Sequence, residues 1–169
     1  MSRITNVDFL RAAYAQETGV VPILLLTISD PSLTDDVRVT TDPTQRIEET
    51  GTEVVYGTIS NSLTYTFIPL SIKLPDDVDE GPQNMTVQID NVSRELVPII
   101  RSLTAPPTVN VDIVLSSDLD TIIGSWPEYL LTNIKTNAET ISGDLVLEIL
   151  VNEPFPAGSQ NPSEFPGLF

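Results

Sequence analysis

Apolar and polar residues alternate with a period of two over much of this chain, and that period restricts it to strands with one buried face. The clearest run is Met85, Val87 and Ile89, which alternate with polar residues. Strands are predicted over residues 21–29, 37–41, 53–60, 63–74, 85–90, 108–116, 129–137 and 143–151. Short strands at such intervals favour a mainly β fold, either a β-sandwich or a split barrel.

One predicted strand changes phase in its middle. Leu63 and Tyr65 occupy odd positions, whereas the apolar residues from Leu70 onward occupy even positions. A regular strand cannot bury both sets on one face, so we expect a register shift at residues 67–69. A bulge or a strand that passes from one sheet to another would produce it. Pro69 lacks a ladder donor, which favours a position at a sheet edge.

Two helices are predicted beside the strands. Apolar residues recur at spacings of three and four from Val7 to Tyr14, which predicts a helix at about residues 6–17 that packs on the sheet. A second apolar stripe predicts a short helix at about residues 93–103. Pro98 lies inside this stripe, so the helix either begins late, with Pro98 in its first turn, or is kinked.

The composition excludes several classes of function. The 169 residues include 24 acidic and 8 basic residues, for a net charge of −16, and neither His nor Cys. Serine–histidine and cysteine–histidine hydrolases and thiolate metal sites are therefore excluded. The acidity argues against nucleic acid as a specific partner, because nucleic-acid binding needs clustered Lys and Arg. The sequence predicts a protein that is not an enzyme and that needs no cofactor or metal.

No membrane insertion is expected. The longest apolar run, residues 19–28, is shorter than the roughly 20 residues that span a bilayer. The first residues contain no hydrophobic signal region. We therefore expect the chain to be made in a cytoplasm.

The final residues differ from the rest of the chain. Four prolines interrupt them, yet they contain three of the chain's five phenylalanines, and disordered tails are poor in aromatics. We divide the chain into one β-rich domain, residues 1–153, and a C-terminal arm, residues 154–169. The interface candidates in this arm are Phe155, Phe165, Pro166 and Phe169. Alternatively, the arm folds back over an apolar face of its own sheet.

Trp126 and one acidic run each have two interpretations. Trp126 stands at a predicted strand boundary, where a tryptophan is more often a core or interface residue than a sugar-stacking platform. The acidic run fits a solvated hairpin tip better than a calcium loop. The glycine and the closing Glu of the known calcium-loop pattern are not at the required positions in this run. The acids of this run are Asp76, Asp77, Asp79 and Glu80.

Six segments, taken in order, resemble a known group of proteins. They are VRVTTD at 37–42, LPDD at 74–77, IDNVSRE at 89–95, APPTV at 105–109, NEPFP at 152–156 and FPGLF at 165–169. Together they are similar to a family of uncharacterised proteins encoded in the tail-assembly modules of long-tailed bacteriophages and prophages. The IDNV motif before a helix and the closing FPGLF are the more specific pieces.

The resemblance implies a structural minor tail or distal tail protein with a fold like that of tail-tube subunits. Such a protein forms part of a ring at the virion tail tip, between the end of the tube and the central hub. Tail symmetry makes six copies the first expectation and three the second. The implied partners are further copies of the chain, the tail-tube and hub proteins and the tape-measure protein.

Charge fits this expectation. A ring through which DNA passes benefits from an acidic lumen, because like charge keeps the polyanion from adhering to the wall. The candidates for such a lumen are Asp76, Asp77, Asp79 and Glu80. Equally, the acidity could simply keep the protein soluble.

An alternative function is a carbohydrate-binding module for recognition of the host surface. Its support is a group of aromatic residues in a sandwich-like pattern. These residues are Tyr56, Tyr65, Trp126 and Tyr129.

The arm gives a first testable prediction. Deletion of residues 157–169 should leave the melting temperature of the monomer nearly unchanged while abolishing incorporation into tails, because the arm's apolar anchors bind a neighbouring subunit. Thermal unfolding of the purified protein and immunoblots of purified particles measure the two effects. A truncated monomer that unfolds or aggregates would assign the arm to the core of its own domain.

Overall fold

The computed structural model describes residues 7–50, 53–74, 84–90, 96–137 and 139–147. These ranges contain two short helices and ten strands. They are α1 Val7–Tyr14, β1 Pro22–Ser29, β2 Val37–Thr40, β3 Gln45–Thr50, β4 Glu53–Ser60, β5 Leu63–Phe67, β6 Leu70–Lys73, β7 Met85–Asp90, α2 Leu96–Ser102, β8 Thr108–Leu115, β9 Asp118–Thr136 and β10 Thr140–Leu147.

The described strands form one mixed sheet in the order β3-β4-β5-β2-β1-β8-β9-β10-β7-β6. Neighbours run antiparallel except β2 and β5, which are parallel. The predicted mainly β fold is confirmed.

The chain from β5 to β6 joins two distant parts of this sheet. Phe67 lies beside Thr40 of β2, and the Ile68 N–H donates to the Thr40 carbonyl at 3.2 Å. One residue later, the Pro69 carbonyl accepts the Asp90 N–H of β7 at 2.9 Å. The predicted shift at residues 67–69 is confirmed, and it is a transfer of the chain from the β2 ladder to the β7 ladder. The sheet is open in its hydrogen bonding, but this crossing bridges β2 to β7.

β1 is the central strand and buries side chains on both faces. Leu26 and Ile28 belong to the larger core cluster, which also receives residues from β2, β7, β8, β9 and β10. Ile23 and Leu25, on the opposite face, belong to a second cluster with Tyr65 of β5 and Val114 of β8. This double burial explains why β1 reads as a continuous apolar run rather than an alternating one.

α2 packs its apolar residues on the larger cluster. Ile99 and Ile100 line a small apolar cavity with Ile28 of β1 and Val87 of β7. The cavity volume is about 20 Å³, which is space for about one water molecule. Pro98 lies within α2, and residues 93–95 of the predicted helix lie outside the described residues, so both sequence interpretations of Pro98 stay predictions.

β9 runs for 19 residues, and the register of its ladders with β8 and β10 shifts at four points along it. Trp126, Tyr129 and Ile134 all contact the larger cluster, although a regular strand could not place all three on one face. Glu128 and Asn133 have positive φ values of 61° and 51°, and the ladder register shifts near each of them. Each extra residue returns the next apolar side chain to the interior.

Three sequence expectations differ from the structure. The strand predicted at 129–137 begins at Asp118, and β3 was not predicted, since it reads as a charged segment. The expectation that the N-terminal helix packs on the sheet is wrong, because Val7 is 60% and Tyr14 is 86% exposed. Within the described residues, α2 packs on the larger cluster, and the second cluster lies on the opposite face of β1. The boundary predicted at residue 153 lies outside the described residues.

Gly57 generates a prediction about the packing of β4 on β5. A Cβ at this position would overlap the carbonyl oxygen of Tyr65 and lie 3.2 Å from Cγ1 of Ile47. We expect Gly57→Ala to lower the free energy of unfolding by about 1–3 kcal/mol, because backbone must shift to admit the methyl group. Urea unfolding measures this change. Gly19→Ala is the control, because a Cβ there would meet no atom within 4 Å, and equal losses in both variants would contradict the close approach.

Candidate interaction surfaces

Most of the site residues predicted from the sequence lie outside the described residues. These are the arm residues Phe155, Phe165, Pro166 and Phe169 and the acidic residues Asp76, Asp77, Asp79 and Glu80. Their roles stay predictions.

Trp126 lies within the described residues and is partly buried. Its indole packs against the larger core cluster. The ring also covers Gly124, where a Cβ would lie 3.2 Å from two ring carbons. The indole therefore has a packing role, and a contact between Trp126 and another subunit stays a prediction.

The corner between β2 and β3 is held by a buried carboxylate. Asp42 is only 8% exposed, and Thr40 and Thr58 beside it are fully buried. Oδ2 of Asp42 accepts the hydroxyl of Thr58 at 3.0 Å and that of Thr44 at 2.6 Å. Oδ1 accepts the Thr44 N–H at 3.2 Å. Oδ2 thus joins the corner to β4, and Oδ1 holds the turn of the corner itself.

Thr41 ties the same corner to the central strand. Its hydroxyl accepts the Leu24 N–H at 3.1 Å, and its own N–H donates to the Leu24 carbonyl at 3.2 Å. The segment at residues 37–42, which contributed to the sequence resemblance, is therefore architectural.

The turn between β4 and β5 is fixed to the start of β9. Asn61 and Ser62 have φ values of 48° and 65°, the left-handed conformation that two-residue hairpin turns require. The Asn61 N–H donates to the Asp120 carboxylate at 2.7 Å, and the Ser60 hydroxyl donates to the Leu119 carbonyl at 2.6 Å. These bonds hold β4 and β5 over the second core cluster.

The end of the β3–β4 hairpin that is farthest from Asn61 extends beyond the residues of β4 that pair with β5. We call residues 45–50 and 53–56 the distal hairpin. β5 pairs with β4 only from Gly57 onward, so within the described strands residues 53–56 have β3 alone as a ladder partner. Val54 is 36% and Tyr56 is 47% exposed. A two-stranded hairpin without a cover is marginally stable in water, so this element is a candidate contact surface.

α1 presents a second exposed apolar surface. Val7 and Tyr14 are mostly exposed, and Phe9 and Leu10 each keep more than a third of their surface accessible. α1 packs broadly on none of the described strands. A helix of eight residues is not stable alone in water, which makes this stripe a candidate for burial against another molecule.

The pKa shifts in the described part of the chain do not converge on a reactive site. The Ser32 hydroxyl donates to Asp30 and lowers the pKa of its carboxyl, and the Thr121 hydroxyl does the same for the pKa of Asp118. Burial raises the pKa of Tyr129, whose hydroxyl has no hydrogen-bond partner among the described residues. The two carboxyls belong to separate turns and the phenol to the core, so they form no acid–base pair.

Two further searches covered the described residues. No cluster of three or more acidic side chains within them could hold a metal ion. No helix in the same ranges is long and apolar enough to span a membrane.

Comparison with known proteins identifies a family. The family model described as a domain of unknown function, DUF1833, matches residues 9–159. A search of curated proteins finds no match.

Asp42 generates a prediction about the corner. We expect Asp42→Ala to lower the free energy of unfolding by about 1.5–3 kcal/mol, because the buried Thr58 hydroxyl loses a charged acceptor. Urea unfolding of the variant measures this loss. Asp35→Ala, in the exposed loop before β2, is the control and should change stability by less than about 0.5 kcal/mol. Equal stability of the two variants would show that the Asp42 bonds contribute nothing.

Proposed function

The chain belongs to the DUF1833 family, and we propose that it is a structural subunit of a bacteriophage tail. In this proposal it forms part of a ring at the distal tail tip, between the end of the tube and the central hub. The sequence resemblance to tail-assembly proteins gives the location. One structural observation supports an assembly role: α1 and the distal hairpin both expose apolar side chains that the described body of the domain leaves uncovered.

The interior supports a structural rather than a catalytic role. Its larger cluster is made of apolar side chains, and the apolar cavity beside it has a volume of only about 20 Å³. The buried carboxylate of Asp42 is occupied by threonine donors of its own domain. We propose that the protein is not an enzyme.

The net charge of −16 supports a position around a DNA channel. Like charge on the wall of a channel prevents the polyanion from binding there. The proposed lumen residues remain Asp76, Asp77, Asp79 and Glu80. In the same proposal, copies of the chain associate as six, or otherwise three, and contact the tail-tube, hub and tape-measure proteins.

The aromatic residues offer little support for the alternative function of carbohydrate binding. Tyr65 and Tyr129 are only 5% and 1% exposed, and Trp126 packs on the core. Tyr56 is exposed on the distal hairpin, but the other three rings are buried or partly buried. A stacking platform needs an accessible ring face, so we retain the tail proposal alone.

The proposed location can be tested by electron microscopy. Antibody against this protein, added to negatively stained phage, should label the tail tip, with the capsid unlabelled. Antibody against the major tube protein is the control, since it should label along the tail instead. Label at the capsid or at the portal end of the tail would refute the proposed location.

A further inference from the structure

β6 is an outer strand of the described sheet, and within the described residues one side of its backbone has no strand partner. The Asp90 N–H donates to the Pro69 carbonyl, and the register between β6 and β7 continues from there without a shift. Hydrogen-bonded and non-hydrogen-bonded pairs alternate in an antiparallel ladder, so Ser71 bonds to β7 whereas Leu70 and Ile72 do not. The N–H and C=O groups of Leu70 and Ile72 therefore point to the outer edge of the sheet.

The side chains beside this edge indicate what kind of segment fits it. Leu70 and Ile72 are half-buried and pack against the larger core cluster. Residues that lie opposite each other in a ladder share one face, so an added strand should place an apolar side chain opposite Leu70 or Ile72. An uncovered edge also pairs readily with other chains, so the outer side of the added strand should resist pairing.

The segment Asn-Glu-Pro-Phe-Pro at residues 152–156 has this pattern. Successive residues of a strand direct their backbone groups to opposite sides, so Glu153 and Phe155 can bond to a neighbour while Pro154 and Pro156 face away from it. The prolines then lack only donors on the outer side, which is where proline is tolerated in a sheet, and they block further pairing there. Glu153 and Phe155 each precede a proline, which favours an extended backbone.

β10 ends where it can deliver this segment to β6. β10 and β6 both finish beside the start of β7, because Leu145 pairs with Met85 and Lys73 pairs with Thr86. The outer side of β6 is three strand spacings from β10, or about 14 Å. The five residues that follow Leu147 span about 16 Å when extended, which is enough to cross this distance. A segment that enters at this end runs antiparallel to β6.

We propose that residues 152–156 add to the outer edge of β6 in the same chain as an antiparallel strand, with Phe155 on the face of the larger core cluster. The spatial order of this strand, β6, β7 and β10 is that of a Greek key, in which the last strand returns to lie beside the first. The inference goes beyond the proposed function, because it assigns Phe155 to its own domain. Phe165 and Phe169 then remain as the phenylalanine anchors for other subunits.

Hydrogen exchange of the Ile72 amide, followed by NMR, tests the proposal, because either Glu153 or Phe155 then lies opposite Ile72. This N–H should exchange at least about tenfold more slowly in the full chain than in a chain that lacks residues 152–169. A chain that lacks only residues 157–169 retains the segment and should match the full chain within about threefold. The Ser71 amide, which bonds to β7, is the internal control and should be equally protected in all three chains.

Two substitutions in the full chain test the same bonds without a deletion. Phe155→Pro removes a donor on the paired side and should speed exchange at Ile72 about tenfold. Pro154→Ala is the matched control, because it changes only the outer side and should leave the exchange rate unchanged. Circular dichroism and the Ser71 amide report whether each variant is folded.

Three results would overturn the proposal. The first is an Ile72 exchange rate that is the same with and without residues 152–169. The second is loss of protection in the chain that lacks only residues 157–169, since the bonds would then lie outside the segment. The third is protection that appears only at concentrations where light scattering detects dimers, because the segment would then pair with a second copy. Antibody labelling tests the tail-tip location separately, and its outcome does not affect the exchange at Ile72.

Discussion

The fold depends on the crossing from β5 to β6. The carbonyl of Pro69 and the N–H of Ile68 belong to adjacent residues, yet they bond to strands that stand five places apart in the sheet. Proline is suited to this position because residue 69 contributes only its carbonyl to the β7 ladder, and a proline lacks only the backbone N–H. With β2 and β7 bridged here, side chains from every strand between β2 and β6 in the sheet order share one core cluster, and α2 packs against it.

Much of this architecture could be predicted from hydrophobic period alone. Strands such as β7, in which buried and exposed residues alternate strictly, have one face inside and one in solvent, and the bounds of β7 match the sequence pattern. The phase change before Pro69 was equally visible. β3 was missed because a strand outside the core needs no apolar face, and the first half of β9 was missed because its bulges break the period.

The candidate surfaces were harder to predict. An amphipathic helix reads the same whether its stripe meets its own sheet or another molecule, so α1 was placed on the sheet. The exposure of Val54 and Tyr56 depends on where β5 stops pairing with β4, which is a tertiary property. Trp126, in contrast, was expected to be a core or interface residue, and the structure gives its indole a core contact.

The pairing of β1 with β8 has a consequence for the order of folding. These strands lie about 85 residues apart in sequence, and both core clusters draw on them. Contacts of such long sequence separation slow folding, since a long loop must close before either cluster gains its partners. On the ribosome, β1 therefore emerges with two apolar faces and waits for most of the chain to be synthesised. An early-emerging strand of this kind is a natural substrate for a chaperone.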